Sequence, residues 1–156
     1  MNANLLLIVH TFCTIYLVGL IWMVQCVHYE LMDRVGAETF RQYEADHNRY
    51  ISPIVGPPMM IEMVTGLMLV AGIGPSWVSR PEAIVGLVAI ALIWLSTMFL
   101  QVPAHGRLLA GFDSAAYERL VNTNWIRTVL WSLRGVLVAY WLWRGLQGTT
   151  VISLES

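Results

Sequence analysis

The chain has no lysine: all nine of its basic residues are arginine. Ten acids bring the formal net charge to only −1, and no run of one sign points to a nucleic-acid partner. Charge of either sign is scarce, at 12% of residues, about half the share found in soluble domains. Asp, Glu, Lys and Arg are missing altogether between Asn2 and Tyr29 and between Ala83 and Gly106. Each gap is longer than the roughly 20 residues a helix needs to cross a hydrocarbon core, which excludes a soluble domain. There are only two cysteines, Cys13 and Cys26, both on the first apolar run. A helix sets residues at that spacing about 20 Å apart, beyond disulfide reach. Internal repeats, low-complexity tracts and a second domain are absent as well.

What is present is 57% hydrophobic, with a mean hydropathy of +0.62. Four apolar stretches, at about residues 4–29, 55–74, 83–106 and 124–145, predict one transmembrane domain over residues 1–156. The first stretch lacks the basic start and the small-residue cleavage site of a signal peptide and reads as a retained span. The runs are too long and too unalternating for barrel strands, and helices are the other way to satisfy every backbone amide in lipid. The expected fold is an all-α integral membrane four-helix bundle, up-down-up-down. Pro57-Pro58 suits the first turn of the second helix, Gly74-Pro75 its end, and Asn122-Thr123-Asn124 the cap of the fourth.

Two connections are longer than tight turns. In the first, Phe40, Tyr43, His47 and Tyr50 fall at helical spacing beside Arg41, Glu44 and Asp46. This predicts a short amphipathic helix on the bilayer surface, with His47 turned inward. In the second, Asp113 or Ser114 caps a short helix through Leu120. Arg34, Arg41, Arg49, Arg107 and Arg119 lie on the face of these two connections, with Arg127 just inside, against Arg80 and Arg144 on the other. The positive-inside rule then places both connections in the cytoplasm and both termini outside it, with a bacterial inner membrane as the expected location.

That topology gathers polar residues at one membrane face: Gln25 and His28 from the first helix, Glu62 from the second, Gln101 and His105 from the third, Asn124 and Arg127 from the fourth, and His47 from the connection. Gln25 and His28 are spaced i, i+3, Gln101 and His105 i, i+4, and Arg127, Trp131 and Arg134 i, i+4, i+7, so each set shares a helix face. Polar groups are costly in lipid, so their convergence reads as a site. His28, His47, His105 and Glu62 are the candidate metal ligands, a nitrogen and oxygen set suited to Fe, Zn or Mn. Gln25, Gln101, Asn124 and Trp131 would surround a bound cofactor, the amides orienting its ligands. Arg127 and Glu62 are the candidate catalytic residues, Arg127 neutralising an anionic substrate or ligand and Glu62 accepting a proton. The structural alternative pairs Glu62 with Arg127 or Arg134, and lets the histidines bond headgroups and loop carbonyls. His10 is expected near the opposite face as an interfacial hydrogen-bonder. Trp22, Trp94 and Trp131 are expected to line the pocket, and Trp77, Trp125, Trp141 and Trp143 to form interfacial belts.

The stretch Pro103-Ala-His105-Gly-Arg-Leu108, followed by Asn124-Trp125-Ile-Arg127-Thr128, resembles the small four-span membrane proteins related to anthrone oxygenase. Members of that family carry Pro-x-Asn-x-x-Leu after the third span and Asn-x-x-Arg at the start of the fourth. The resemblance covers mainly the C-terminal third and carries over Pro103, Leu108, Asn124 and Arg127. It implies an oxygen-using membrane enzyme acting on a lipophilic aromatic or polyketide-like substrate. This chain departs by placing His105 where the family usually has Asn, and by adding His28 and His47. The leading expectation is a membrane-embedded metal-dependent oxidoreductase or oxygenase with a lipophilic substrate entering from the bilayer. Three others stand beside it: a b-type haem protein with two of the histidines as axial ligands, a non-catalytic accessory subunit packed on a membrane-protein partner or a second copy, and a proton-coupled transporter using Glu62.

Overall fold

A computed structural model describes the backbone of residues 2–152 and the side chains of residues 2–147. Four helices account for nearly all of it: α1 (Ala3–Met32), α2 (Ala37–Val70), α3 (Arg80–Leu108) and α4 (Ser114–Ile152). α1 and α3 each pack against both α2 and α4, so the helices form an antiparallel square ring around one shared interior. The four-helix bundle expected from the hydropathy pattern is the architecture observed. α1, α2 and α3 are long and apolar enough to cross a membrane, which makes this an integral membrane protein. α4 is more polar because Asn124, Arg127, Thr128 and Arg134 sit on its buried side. Its outer side carries Val129, Leu133 and Val136, 52%, 62% and 70% exposed, an apolar stripe at i, i+4, i+7.

Local signals explain most helix ends. The Asn2 side chain accepts from the Asn4 amide to start α1, and Ser79 with Glu82 forms a capping box at α3. Asp113 accepts from the Ala116 amide at 3.1 Å to start α4, as its cap spacing predicts. After α2 ends, Gly72 takes φ +81°, a conformation that costs a residue with a Cβ.

Two boundaries differ from the sequence expectation. The amphipathic segment is helical, but it is not a separate helix: it forms the first half of α2, which continues through Pro53, Pro57 and Pro58. Proline inside a helix costs about 3 kcal/mol, through a lost hydrogen bond and a clash. Burial of one continuous inward stripe, from Phe40 and Glu44 through Met59, Glu62, Gly66 and Leu69, outweighs that local preference. Tyr50, grouped with this face in the sequence, is 62% exposed. Likewise Asn122-Thr123-Asn124 caps nothing. α4 runs through it, and the short helix expected to end at Leu120 is its first two turns.

α1 and α3 each contain one π-helical segment, Val24–His28 and Thr97–Gln101. Both lie at the same level of the bundle and carry Gln25, His28 and Gln101. Such wide turns re-aim side chains and recur at functional sites.

Candidate functional site: stacked polar layers around a bilayer-facing cavity

The interior polar residues divide into layers instead of meeting at one point. The first layer lies at the end of the bundle with the 33–36 and 109–113 connections. There His28, His47 and His105 stack in series, with ring centroids 4.2 Å apart for His28–His47 and 5.3 Å for His47–His105. Glu44 is fully buried, and its Oε1 lies 2.6 Å from His105 Nδ1 while also accepting from Asn48 Nδ2 at 2.9 Å. With the carboxylate accepting there, the hydrogen sits on Nδ1 and Nε2 is left as the basic nitrogen. The Tyr29 hydroxyl stands 3.4 Å from that Nε2, and the Tyr43 hydroxyl 3.4 Å from His28 Nδ1. Glu44 Oε2 is buried with no partner among the described residues.

The second layer is an amide and guanidinium cluster. Asn124 donates to Gln25 Oε1 at 2.7 Å and accepts from Arg127 Nε at 2.8 Å. Arg127 Nη1 donates to Thr97 Oγ1 at 3.3 Å. Gln101 links Ser96 and Thr123. Arg127 is 8% exposed, yet none of its partners among the described residues is a carboxylate.

The third layer lies deeper. Glu62 accepts from Thr14 at 2.7 Å, from Arg134 Nε at 3.0 Å and from Trp131 Nε1 at 3.2 Å. Arg134 also donates to the Gly86 carbonyl at 2.6 Å and approaches His10 Nε2 to 2.9 Å, and His10 Nδ1 is 2.7 Å from Thr65 Oγ1. This is a closed structural network, with every strong donor of Arg134 engaged.

Of the proposed ligand set, the structure brings together His28, His47 and His105, and separates Glu62 from them. The carboxylate of the histidine layer is Glu44. Eighteen residues of α2 separate the two acids, about 27 Å of helix. Arg134 is the partner of Glu62, and Arg127 is not. His10 is a correction as well: it is 1% exposed and holds Arg134, because the Glu62 layer sits toward its end of α1. Trp22 is 43% exposed and donates to Ser132, away from the pocket, whereas Trp141, expected in a belt, is 1% exposed and donates to Glu82. Gln25, Gln101, Asn124 and Arg127 do share one layer. Leu108 is core, and Pro103 is exposed on the outer side of α3.

Between the first and third layers lies a cavity of about 260 Å³. Leu17, Ile21, Val55 and Met59 give it an apolar wall, Trp94 and Trp131 an aromatic one, and Tyr29, His47, Gln101, His105 and Arg127 its polar end. Its rim includes exposed Ser52 and half-buried Gly56 of α2 and exposed Val102 of α3. It therefore opens between these two helices, toward the surface that faces lipid. Trp94 Nε1 is buried without a partner among the described residues.

As arranged, the three imidazoles lie face to face, so their in-plane lone pairs do not converge. Among the described residues no set of three His, Cys, Asp or Glu is placed to hold a metal ion. The 4.2 Å stacking of His28 on His47 also leaves no space for a macrocycle between those rings. A hydrogen-bonded carboxylate–imidazole–phenol series beside a cavity can, by contrast, accept, hold and return a proton. Comparison of the chain with family models, curated proteins and solved structures finds no match. The functional reading rests on this geometry.

Proposed function

We propose that this chain is a membrane-embedded enzyme that takes a proton from a lipophilic substrate held in the cavity, with His105 as the base. The carrying observation is the 2.6 Å Glu44–His105 contact, in which a buried carboxylate orients the imidazole, on the polar end of a cavity open toward the bilayer. Glu44 stabilises the imidazolium that forms, in the way a buried acid supports a catalytic histidine. Arg127 and Tyr29 offer hydrogen bonds to the oxyanion that proton removal creates, a stabilisation worth most where water is excluded. The likeness of the C-terminal third to the anthrone-oxygenase-related proteins fits this reading. Combination of the carbanion with dioxygen would form a C–O bond. The hydroperoxide, protonated by the hydrogen that His105 took, would lose water to leave a ketone: CH2 and O2 become C=O and H2O, an oxidation with dioxygen as the oxidant. A bacterial inner membrane with both termini outside the cytoplasm is the setting that the arginine distribution supports.

The test is deuterium exchange at the acidic C–H of anthrone, a lipophilic ketone, by protein in lipid nanodiscs. Wild type is expected to accelerate exchange, and His105→Gln and Glu44→Gln to remove the acceleration while the protein stays folded. No acceleration by wild type, or full acceleration by His105→Gln, overturns the reading.

A second reading keeps the metal: His28, His47, His105 and Glu44 as ligands of a redox ion, with Glu62 excluded by distance. The partnerless buried Glu44 Oε2 favours it, and the reading requires the stacked imidazoles to turn their nitrogens toward one point. Iron, zinc, copper or manganese bound near one per chain in untagged protein, and lost on His105→Ala, would establish it over the proton reading.

A further inference from the structure

Two buried guanidinium groups and one half-exposed one differ in standing. Arg134 is neutralised by Glu62 at 3.0 Å, and Arg144 by Glu82 at 3.1 Å. Arg127 is buried to 8% exposure and, among the described residues, is bonded only to neutral oxygens, those of Asn124 and Thr97, with the Trp131 ring 5.9 Å from its guanidinium carbon. A cation withdrawn from water without a counter-charge is strongly disfavoured, and proteins pair such groups. Arg127 is also the one arginine on the cavity wall. The missing negative charge therefore has a place to sit. Trp94, on the same wall, has a buried indole N–H without a partner, a second donor left for an acceptor. Away from the polar end that Arg127 shares with Tyr29, His47, Gln101 and His105, the wall is mainly apolar or aromatic, and the opening between α2 and α3 faces lipid.

We propose that the cavity is a binding site for a compact lipophilic anion, whose oxyanion head pairs with Arg127 and accepts from Trp94 and whose apolar body fills the space between α2 and α3. About 260 Å³ is small beside typical ligand sites of about 300–1,000 Å³, which excludes a two-chain phospholipid and selects a single ring system or a short single chain. Gly56 belongs to the site by having no side chain. A Cβ there would meet nothing within 4 Å, so the position on the cavity lining is open. The inference rests on the cavity proposed above but not on the role of His105, and the bound anion resembles the enolate that proton removal would form there, not the neutral ketone.

The test uses 9-anthroate, a fluorescent aromatic carboxylate, and its uncharged methyl ester, titrated into nanodisc-embedded protein and into empty nanodiscs to subtract partition into lipid. Saturable binding of the acid is expected, with the ester weaker by about tenfold or more, as loss of a charge-assisted bond entails. Arg127→Gln should bring acid and ester to equal weakness, and Arg127→Lys should keep part of the preference. Gly56→Leu, which adds a bulky side chain to the cavity lining at a position where a Cβ meets nothing within 4 Å, should remove binding of both. Binding is read without turnover, so saturable and selective binding of the acid by wild-type protein that does not accelerate anthrone exchange separates failure of the catalytic reading from failure of this one. If Arg127→Gln does not fold, the acid–ester ratio on wild type and the Gly56→Leu result decide. Equal binding of acid and ester, no saturable binding of the acid, or binding unchanged by Gly56→Leu overturns the proposal.

Discussion

Replacing Glu62 by Gln should destabilise the bundle without touching the chemistry. The Glu62 carboxylate is about 1% exposed and is the only acid facing Arg134 among the described residues. Its removal leaves a guanidinium 1% exposed with neutral partners alone, and removing one member of a buried ion pair costs about 3–5 kcal/mol. Gln keeps the shape and its one oxygen can still accept from Thr14 and Arg134, while its NH2 replaces the oxygen that accepts from Trp131, so the loss combines the charge with that one hydrogen bond. Against a total stability on the order of 5–15 kcal/mol, that is a large fraction. It should appear as a lower denaturation midpoint in mixed micelles, at unchanged binding of 9-anthroate. The double variant Glu62→Leu with Arg134→Met should be less destabilised than either single change, because the uncompensated charge goes with its partner. If Glu62→Gln costs under about 1 kcal/mol, or if it abolishes anthrone exchange while the protein remains folded, the assignment of this layer to structure is wrong.

Further outcomes follow from other contacts. Gly66 lets α2 approach α1 and α3, and a Cβ there would lie 2.9 Å from Ile90 Cδ1 and 3.6 Å from His10 Cε1. Gly66→Leu should cost about 1–3 kcal/mol through overpacking, read in the same unfolding assay. Gln25→Leu removes the acceptor of the Asn124 amide and should cost about 1–3 kcal/mol. It should also weaken 9-anthroate binding, since Asn124 holds Arg127 in place. Prolonged chelation of the purified protein should leave anthrone exchange intact, whereas a loss restored by one metal would favour the metal reading.

The fold was legible because lipid imposes strict accounting: long charge-free runs, few prolines outside α2, and polar residues too costly to face outward. The site was legible only in part. His28, His47 and His105 were placed together by topology alone, since α1, α2 and α3 bring their ends to one face. Glu44 was assigned to the solvated side of the amphipathic segment, although Phe40, Glu44 and His47 stand at i, i+4, i+7, and that spacing was the available signal. Glu62 was misplaced because the second helix was started at about residue 55, with Pro57-Pro58 in its first turn, which put the acid about two turns from the membrane face. With α2 beginning at Ala37, the same residue lies deep in the bundle. The π-turns at Val24–His28 and Thr97–Gln101 have no marker in composition or period, so the aim of Gln25 and Gln101 could not be read beforehand. Nor does any sequence pattern reveal that Arg127 lacks a carboxylate, which depends on what three other helices present to it.

The measurement that tests the central claim most directly is nitrogen NMR of isotope-labelled histidine in the nanodisc-embedded protein, with His105 assigned by its substitution. The account predicts that His105 carries its hydrogen on Nδ1, with a far-downfield proton from the short bond to Glu44, and that Glu44→Gln moves this signal. A hydrogen on Nε2, or a His105 signal indifferent to Glu44→Gln, would contradict the claim that Glu44 poises His105 as the base of the cavity.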